Sequence, residues 1–184
     1  SISAISPAMS LAAALPVVAD YVLQRLMAMT KKKGHPGLKL HFGQVLTLIG
    51  ASGGKIQHMA AIQDVSKQAI SATAKELEAL DYIYREPDPR DARQLVLRFT
   101  ERGRELIKHS VASVDELEQE FIALAGKSAT KKLREVSSAL YRSLHLEQEL
   151  SGNSHPVDLS LLAQQLKQQL GAQASQELGK LLLP

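Results

Sequence analysis

The chain contains no cysteine, which excludes disulfides, thiol redox sensing and thiolate zinc sites. It has no internal repeat. Its 184 residues are therefore expected to form one domain or one intertwined dimer unit, long enough to bury a core. It has no long apolar run: residues 12–19 form the longest, are interrupted by Pro16, and fall far short of a bilayer span. No basic stretch precedes the mildly apolar residues 1–19, so neither a signal peptide nor a membrane partner is expected, and a cytoplasmic location is the default.

No catalytic or metal-binding pattern stands out either. The histidines are scattered at 35, 41, 58, 109, 145 and 155, with no His-Glu-x-x-His or comparable cluster. Ser52-Gly53-Gly54-Lys55 lacks the preceding glycine and strand of a phosphate-binding loop. No Ser/His/Asp set has a strand-turn context. Glu116 and Glu120 lie at helical spacing and read as a solvated face. The expectation is a protein that is not an enzyme and holds no metal or cofactor.

What is present is a folded composition, 45% apolar, with a net charge of only +3. Residues 1–54 carry five Lys/Arg against one Asp, residues 55–108 ten basic against nine acidic side chains, and residues 109–184 seven against nine. The middle third is densely charged but nearly neutral. A nucleic-acid argument must therefore rest on where each charge points.

Apolar periodicity outlines the elements. Leu11, Leu15, Val18, Val22, Leu26 and Met29 fall on one helical face of residues 8–30, with Pro16 expected to end, start or kink that helix. Residues 31–37 read as a loop. A short helix is expected over 41–51, with Phe42, Val45, Leu46 and Ile49 inward and Ser52-Gly53-Gly54 closing it. A third spans 55–62, with Ile56, Met59 and Ala60 inward. Ser66 has N-cap chemistry for a fourth helix, 67–80, whose Ile70, Ala74, Leu77 and Leu80 face inward. Asp81 then occupies a turn where a left-handed backbone is expected. The period changes to two at 82–85 and 95–99, predicting a β-hairpin with a long Pro/Asp loop over 86–93. Thr100 reads as the N-cap of a long helix, 101–125, with Leu106, Val114, Leu117, Phe121 and Leu124 on its apolar face. Gly126 breaks it. Ser128 or Thr130 caps a further helix to about 150. Beyond a linker at 151–156, residues 158–183 carry a leucine stripe at 159, 162, 166 and 170.

Two helices joined by a tight turn, followed by a hairpin with a charged tip, describe a winged helix-turn-helix. Lys67, Gln68, Ser71, Ala72 and Lys75 remain on the outer face of the second helix. Gln pairs with adenine, Lys reaches guanine or phosphate, and Ser and Ala permit close approach to bases. Arg90 and Arg93 on the wing suit a minor groove.

These segments also carry a family resemblance. Asp88-Pro89-Arg90-Asp91-Ala92-Arg93, the alternating strand after it and Thr100-Glu101-Arg102-Gly103 resemble the wing signature of the MarR family. Residues 59–60 and 65–71 resemble its helix-turn-helix, and 77–83 its exit into the wing. The match covers about 40–150 and is strongest over 59–103. The resemblance implies a mainly α fold with a small β-hairpin wing, a winged helix-turn-helix joined to a helical dimerisation domain. It implies a homodimeric regulator, a repressor released by a small ligand, on pseudo-palindromic double-stranded DNA. By position, Arg93 matches the wing arginine that enters the minor groove, and Asp91 the acid that orients it. Lys67, Gln68, Ser71, Ala72 and Lys75 match the reading positions, and Ser66 the cap whose neighbouring amides hold a phosphate. Asp81 stands where the family usually has Gly, and position 72 is often larger and basic.

The resemblance further implies a small aromatic or anionic ligand, in a crevice where Met27, Thr30, His35, His41, Phe42 and Val45 are the candidates. The missing cysteine sets the chain apart from the peroxide-sensing branch. Independently, the apolar faces at 11–29, 106–124 and 133–150 exceed what a winged-helix core covers, which points to an interface. The expected organisation is a dimerisation helix and loop at 1–37, the winged helix-turn-helix at 38–103, dimerisation helices at 104–150, and a linker with an additional helix at 151–184. The competing reading is a winged-helix module for protein–protein assembly that reads no DNA.

Overall fold

The computed structural model describes residues 10–50 and 53–144. The expected segment at 151–184, the end of the helix before it and the first nine residues lie outside the described residues. Helix α1 spans Leu11–Lys32, capped by Ser10, whose Oγ accepts a hydrogen bond from the Ala13 amide. Pro16 lies inside it and does not end it. Sitting little more than one turn in, it forfeits a single backbone bond. The expected loop starts two residues late, because Lys31 and Lys32 form the last helical turn, where their charge suits the carbonyl end of the dipole.

A 3-10 turn at Leu40–Phe42 leads into a short α2, Gly43–Leu46. The helix expected over 41–51 is cut short here. Instead, Gly50 pairs with Gly53, and Gly54 exchanges two backbone hydrogen bonds with Leu97 of the hairpin (2.9 and 2.8 Å). Then come α3, Ile56–Gln63, and α4, Lys67–Ala79. Strand β1, Ile83–Asp88, pairs antiparallel with β2, Asp91–Phe99, with an irregularity between Pro87 and Asp88. The long loop expected over 86–93 is a correction: the ladder runs on until only Pro89 and Arg90 separate the strands. Pro87 is tolerated because it lies on an edge strand beside the bulge.

Helix α5, Glu101–Ala125, starts at the Thr100 cap. Gly103 is obligatory there, since a Cβ on it would lie 2.0 Å from the Tyr82 carbonyl oxygen. Gly126, at φ 86° and ψ 155°, both ends α5 and starts α6, Lys127–Ser143. The cap expected at Ser128 or Thr130 is therefore Gly126 itself. Thr130 instead donates its hydroxyl back to the Gly126 carbonyl (3.0 Å).

Two clusters of buried side chains hold this together. The larger joins Leu38, Phe42, Val45, Leu46, Ile49, Met59, Ile70, Leu77, Tyr82, Ile83, Leu97 and Leu106. It is the core of the winged helix. The smaller joins Leu26 and Met29 of α1 to Leu117 of α5, with Val22, Val114 and Phe121 around them. The Arg25 guanidinium pairs with the Glu120 carboxylate, and Thr30 donates to Ser113 (3.0 Å) along the same contact.

The amino-terminal half of α1 has no such cover. Leu11, Leu15, Val17, Val18 and Tyr21 are exposed, as are Leu124, Leu133, Val136, Leu140 and Leu144 toward the other end. By length and composition α1 is also sufficient to cross a bilayer, with 22 residues and a mean hydropathy of 1.4 over its best window. That amends the expectation from residues 12–19 alone, because apolar residues continue past that run within α1.

Candidate nucleic-acid interface

The outer surface of the helix-turn-helix follows from how α4 is anchored. Asp64 takes a left-handed backbone at φ 50°, and the Val65 amide bonds back to the Ala60 carbonyl (3.1 Å), turning the chain sharply after α3. Ser66 then caps α4, its Oγ accepting from the Ala69 amide (3.1 Å). Ile70, Thr73, Ala74 and Leu77 are buried. Their burial leaves Lys67, Gln68, Ala72 and Lys75 exposed and Ser71 half-buried. The first turn of α4 carries no acid but does carry Lys67. That arrangement suits an external anion at the helix N-terminus.

The wing is attached at its root by Thr100, whose hydroxyl donates to the Asp81 carbonyl (2.5 Å) and accepts from the Gly103 amide (3.0 Å). Asp81 itself lies at φ 59°, the left-handed backbone that the usual glycine would adopt. At the tip, Asp88 Oδ1 accepts from the Arg90 amide (2.9 Å) and closes the turn. Asp91 Oδ1 accepts from both the amide and Nε of Arg93 (each 3.1 Å), and Oδ2 accepts from Gln94 Nε2 (3.0 Å). The Arg93 side chain is nevertheless 92% exposed. Held at Nε alone, it keeps its terminal nitrogens outward. Arg93 also depresses the Asp91 carboxyl below its ordinary range, so the acid stays ionised as its counter-charge.

The near-neutral middle third resolves once its pairs are traced. Glu76 is held by Lys39 (2.5 Å) and His41 (3.4 Å), Glu78 by Arg85 (2.8 Å), Glu86 by Arg98 and Asp88 by Lys55 (2.5 Å). Lys39 is the main reason the Glu76 carboxyl sits below its usual range, as Lys55 is for Asp88. Lys67, Lys75 and Arg90 enter no ion pair among the described residues. Glu76, Glu78, Glu86 and Asp88 are thus neutralised within the protein, while Lys67, Lys75 and Arg90 are left for a partner.

The candidate pocket residues are not gathered on one surface. Phe42 and Val45 are fully buried in the core, and Met27 packs against it. Thr30 bonds Ser113, and His35 is buried between Tyr82 and His109. His41 is exposed beside Glu76. A cleft of about 550 Å³ lies elsewhere, between α1 and α5, lined by Arg25, Met29, Lys32, Lys33, Glu116 and Glu120 among others. The sequence reading missed Lys55 as a partner of the wing residues Asp88 and Gln94, because these contacts join distant segments.

Comparison with known proteins agrees with this geometry. Residues 37–94 match the family model described as MarR family. No curated protein matches the chain. Among solved structures it is similar to MepR, a transcription regulator of the Staphylococcus aureus multidrug efflux pump MepA, at 17% identity and a TM-score of 0.59, covering 73% of this chain and 98% of that one. It is similar to the transcriptional regulator Tm0710 from Thermotoga maritima at 19% identity and a TM-score of 0.52, covering 71% and 96%. A MepR variant bound to an oligodeoxyribonucleotide aligns at 17% identity with a TM-score of 0.50, covering 71% and 97%. Over residues 37–94 the chain is similar to the MarR family, and its fold is that of a winged helix-turn-helix.

Proposed function

We propose that the chain is a transcriptional regulator that binds a pseudo-palindromic duplex as a homodimer. In this reading α4 lies in the major groove and Arg93 enters the flanking minor groove. The observation that carries it is the charge arrangement: Lys67, Lys75, Arg90 and Arg93 face outward on two consecutive elements, while Glu76, Glu78, Glu86, Asp88 and Asp91 are paired within the protein. Gln68 and Ala72, exposed between the lysines, supply an amide for a base edge and room for close approach. The uncovered apolar faces of α1 and α6 supply a two-fold contact, which sets two copies of α4 about one DNA turn apart. The MepR variant solved with an oligodeoxyribonucleotide shares this fold.

The reading extends to regulation. The protein acts as a repressor, released by a small aromatic or anionic ligand that prefers one spacing of the two reading helices. The organisation that goes with it keeps 1–37 and 104–150 as the dimerisation parts and 38–103 as the reading part.

Selection from random duplexes, followed by a salt titration on the best site, tests the proposal. With four outward cations per protomer each neutralising one phosphate, a dimer has a log–log salt slope of roughly −7. Arg93→Ala weakens binding and flattens that slope. Absence of any enriched palindrome at low salt favours the protein-assembly reading instead.

A further inference from the structure

We propose that Lys55 is a positioning residue for Arg93, setting the wing arginine from the start of α3 without touching the nucleic acid itself. This inference rests on the DNA-binding reading above. Lys55 is the residue that precedes α3, with an extended backbone at φ −94° and ψ 127°. Its ammonium group reaches the wing and meets two acceptors there, Asp88 Oδ2 at 2.5 Å and Gln94 Oε1 at 3.1 Å.

The second contact decides the orientation of everything beyond it. An amide has one acceptor end and one donor end. With Oε1 turned toward Lys55, Gln94 must present Nε2 on its other side, where it donates to Asp91 Oδ2 (3.0 Å). That bond fixes the carboxylate plane, so Oδ1 faces Arg93 and accepts from its amide and its Nε. The result is one connected series in which Lys55 donates to Gln94, Gln94 donates to Asp91, and Asp91 accepts from Arg93 on its other oxygen. Removing the cation leaves the Gln94 side chain held at one end only. Without its anchor the Gln94 side chain swings away from Asp91 Oδ2, and the arginine loses its fixed base.

The first contact keeps Lys55 in place. Asp88 is 6% exposed and also closes the tip turn through the Arg90 amide. A carboxylate so placed holds a cation firmly and leaves Lys55 little charge to offer a phosphate. The neighbouring Gly54–Leu97 pairing ties the backbone at this point to β2, which prevents the lysine from drifting away from the wing.

Two measurements test the assignment. In the DNA-free protein, the Nε–H resonance of Arg93 is followed by 15N relaxation and water exchange. It is rigid and slow to exchange in the wild type, mobile and fast in Lys55→Met, and rigid again in Lys55→Arg. Lys55→Met with Asp88→Asn, which leaves no unpaired buried acid, behaves as Lys55→Met alone. Equal mobility of Arg93 in wild type and Lys55→Met overturns the proposal, whether or not the protein binds DNA.

On the selected duplex, Lys55→Met weakens binding by roughly ten-fold per half-site and erases the preference for an A·T flank over a G·C flank. Lys55→Met combined with Arg93→Ala is no weaker than Arg93→Ala alone. If the two losses multiply, Lys55 acts on the DNA directly and the proposal falls. A wild type that binds no duplex while Arg93 still depends on Lys55 in the first measurement removes the DNA reading and leaves the positioning role standing.

Discussion

The imidazole of His35 and the phenol of Tyr82 are joined across 47 residues of chain, Nδ1 to hydroxyl at 3.0 Å, with the opposite ring nitrogen 2.9 Å from Nδ1 of His109. This contact ties the loop after α1 to the exit of α4. Burial lowers the His35 pKa, His109 and Arg102 lower it further, and Glu105 opposes them. The folded state therefore holds His35 neutral, whereas the unfolded chain binds the proton near pH 6.5. With the folded value depressed, the unfolded state carries more protons as pH falls, so stability is complete above about 6.5 and declines below it. Urea midpoints should be flat from pH 7 to 8 and drop toward pH 5, with the drop reduced in His35→Asn. An equal drop in both proteins would place the titration elsewhere.

Gly103→Ala should destabilise the fold although alanine is the better helix former. The added Cβ meets a backbone carbonyl, Tyr82 O at 2.0 Å, and the ring of Phe99 at 3.0 Å. Neither yields cheaply, because Tyr82 O also accepts the Thr100 amide (3.1 Å). Overpacking of this kind costs about 1–3 kcal/mol, against a helix gain of about 1. Thermal denaturation decides the sign, and an unchanged or raised melting temperature would refute the clash.

At Ser66, two substitutions separate stability from binding. Ser66→Ala loses the bond to the Ala69 amide and should cost about 1 kcal/mol. Ser66→Asp keeps a cap acceptor and so retains stability. Its charge, however, stands where a phosphate is expected, and duplex affinity should fall. Unchanged affinity in Ser66→Asp would argue against a phosphate at the start of α4.

Leu15→Glu and Leu140→Glu address the uncovered faces. Both leucines are about half exposed in the single chain, at 47% and 49%, where a surface substitution normally shifts stability by no more than about 0.5 kcal/mol. If these faces form the two-fold contact, either charge should convert a dimer into monomers in sedimentation and abolish tight operator binding. A dimer that survives both changes would locate the interface on another surface.

How much of this was legible in the sequence depends on the range of the interactions involved. Helices α4 and α5 were readable to within a residue or so, since Ser66, Thr100 and Gly126 are local signals that act within one turn. The outward set on α4 followed from the Ile70, Ala74, Leu77 stripe alone. The region after Leu46 was not readable: Phe42, Val45, Leu46 and Ile49 have helical spacing, yet Gly54 is drawn into pairing with Leu97, far along the chain. The wing read as an open loop because Pro and Asp signal turns, whereas bonds from Asp88 and Asp91 tighten it to two residues. Lys55 read as the start of a helix, and nothing in its neighbourhood discloses an acceptor on a strand that forms later. Likewise, the Leu11 to Met29 stripe is continuous, and it is α5, packing on Val22, Leu26 and Met29 alone, that divides it into a covered and a bare half.

Helix α5 runs through both buried clusters, giving Leu106 to the larger and Leu117 to the smaller. Those positions are roughly 16 Å apart along the axis at the usual rise per residue. A stiff rod gripped at two points of that separation behaves as a lever. Tilting it by about 10° about one grip carries the other sideways by about 3 Å over that length. In the DNA-binding reading proposed above, a displacement of that size carries the wing arginine into or out of register with a groove.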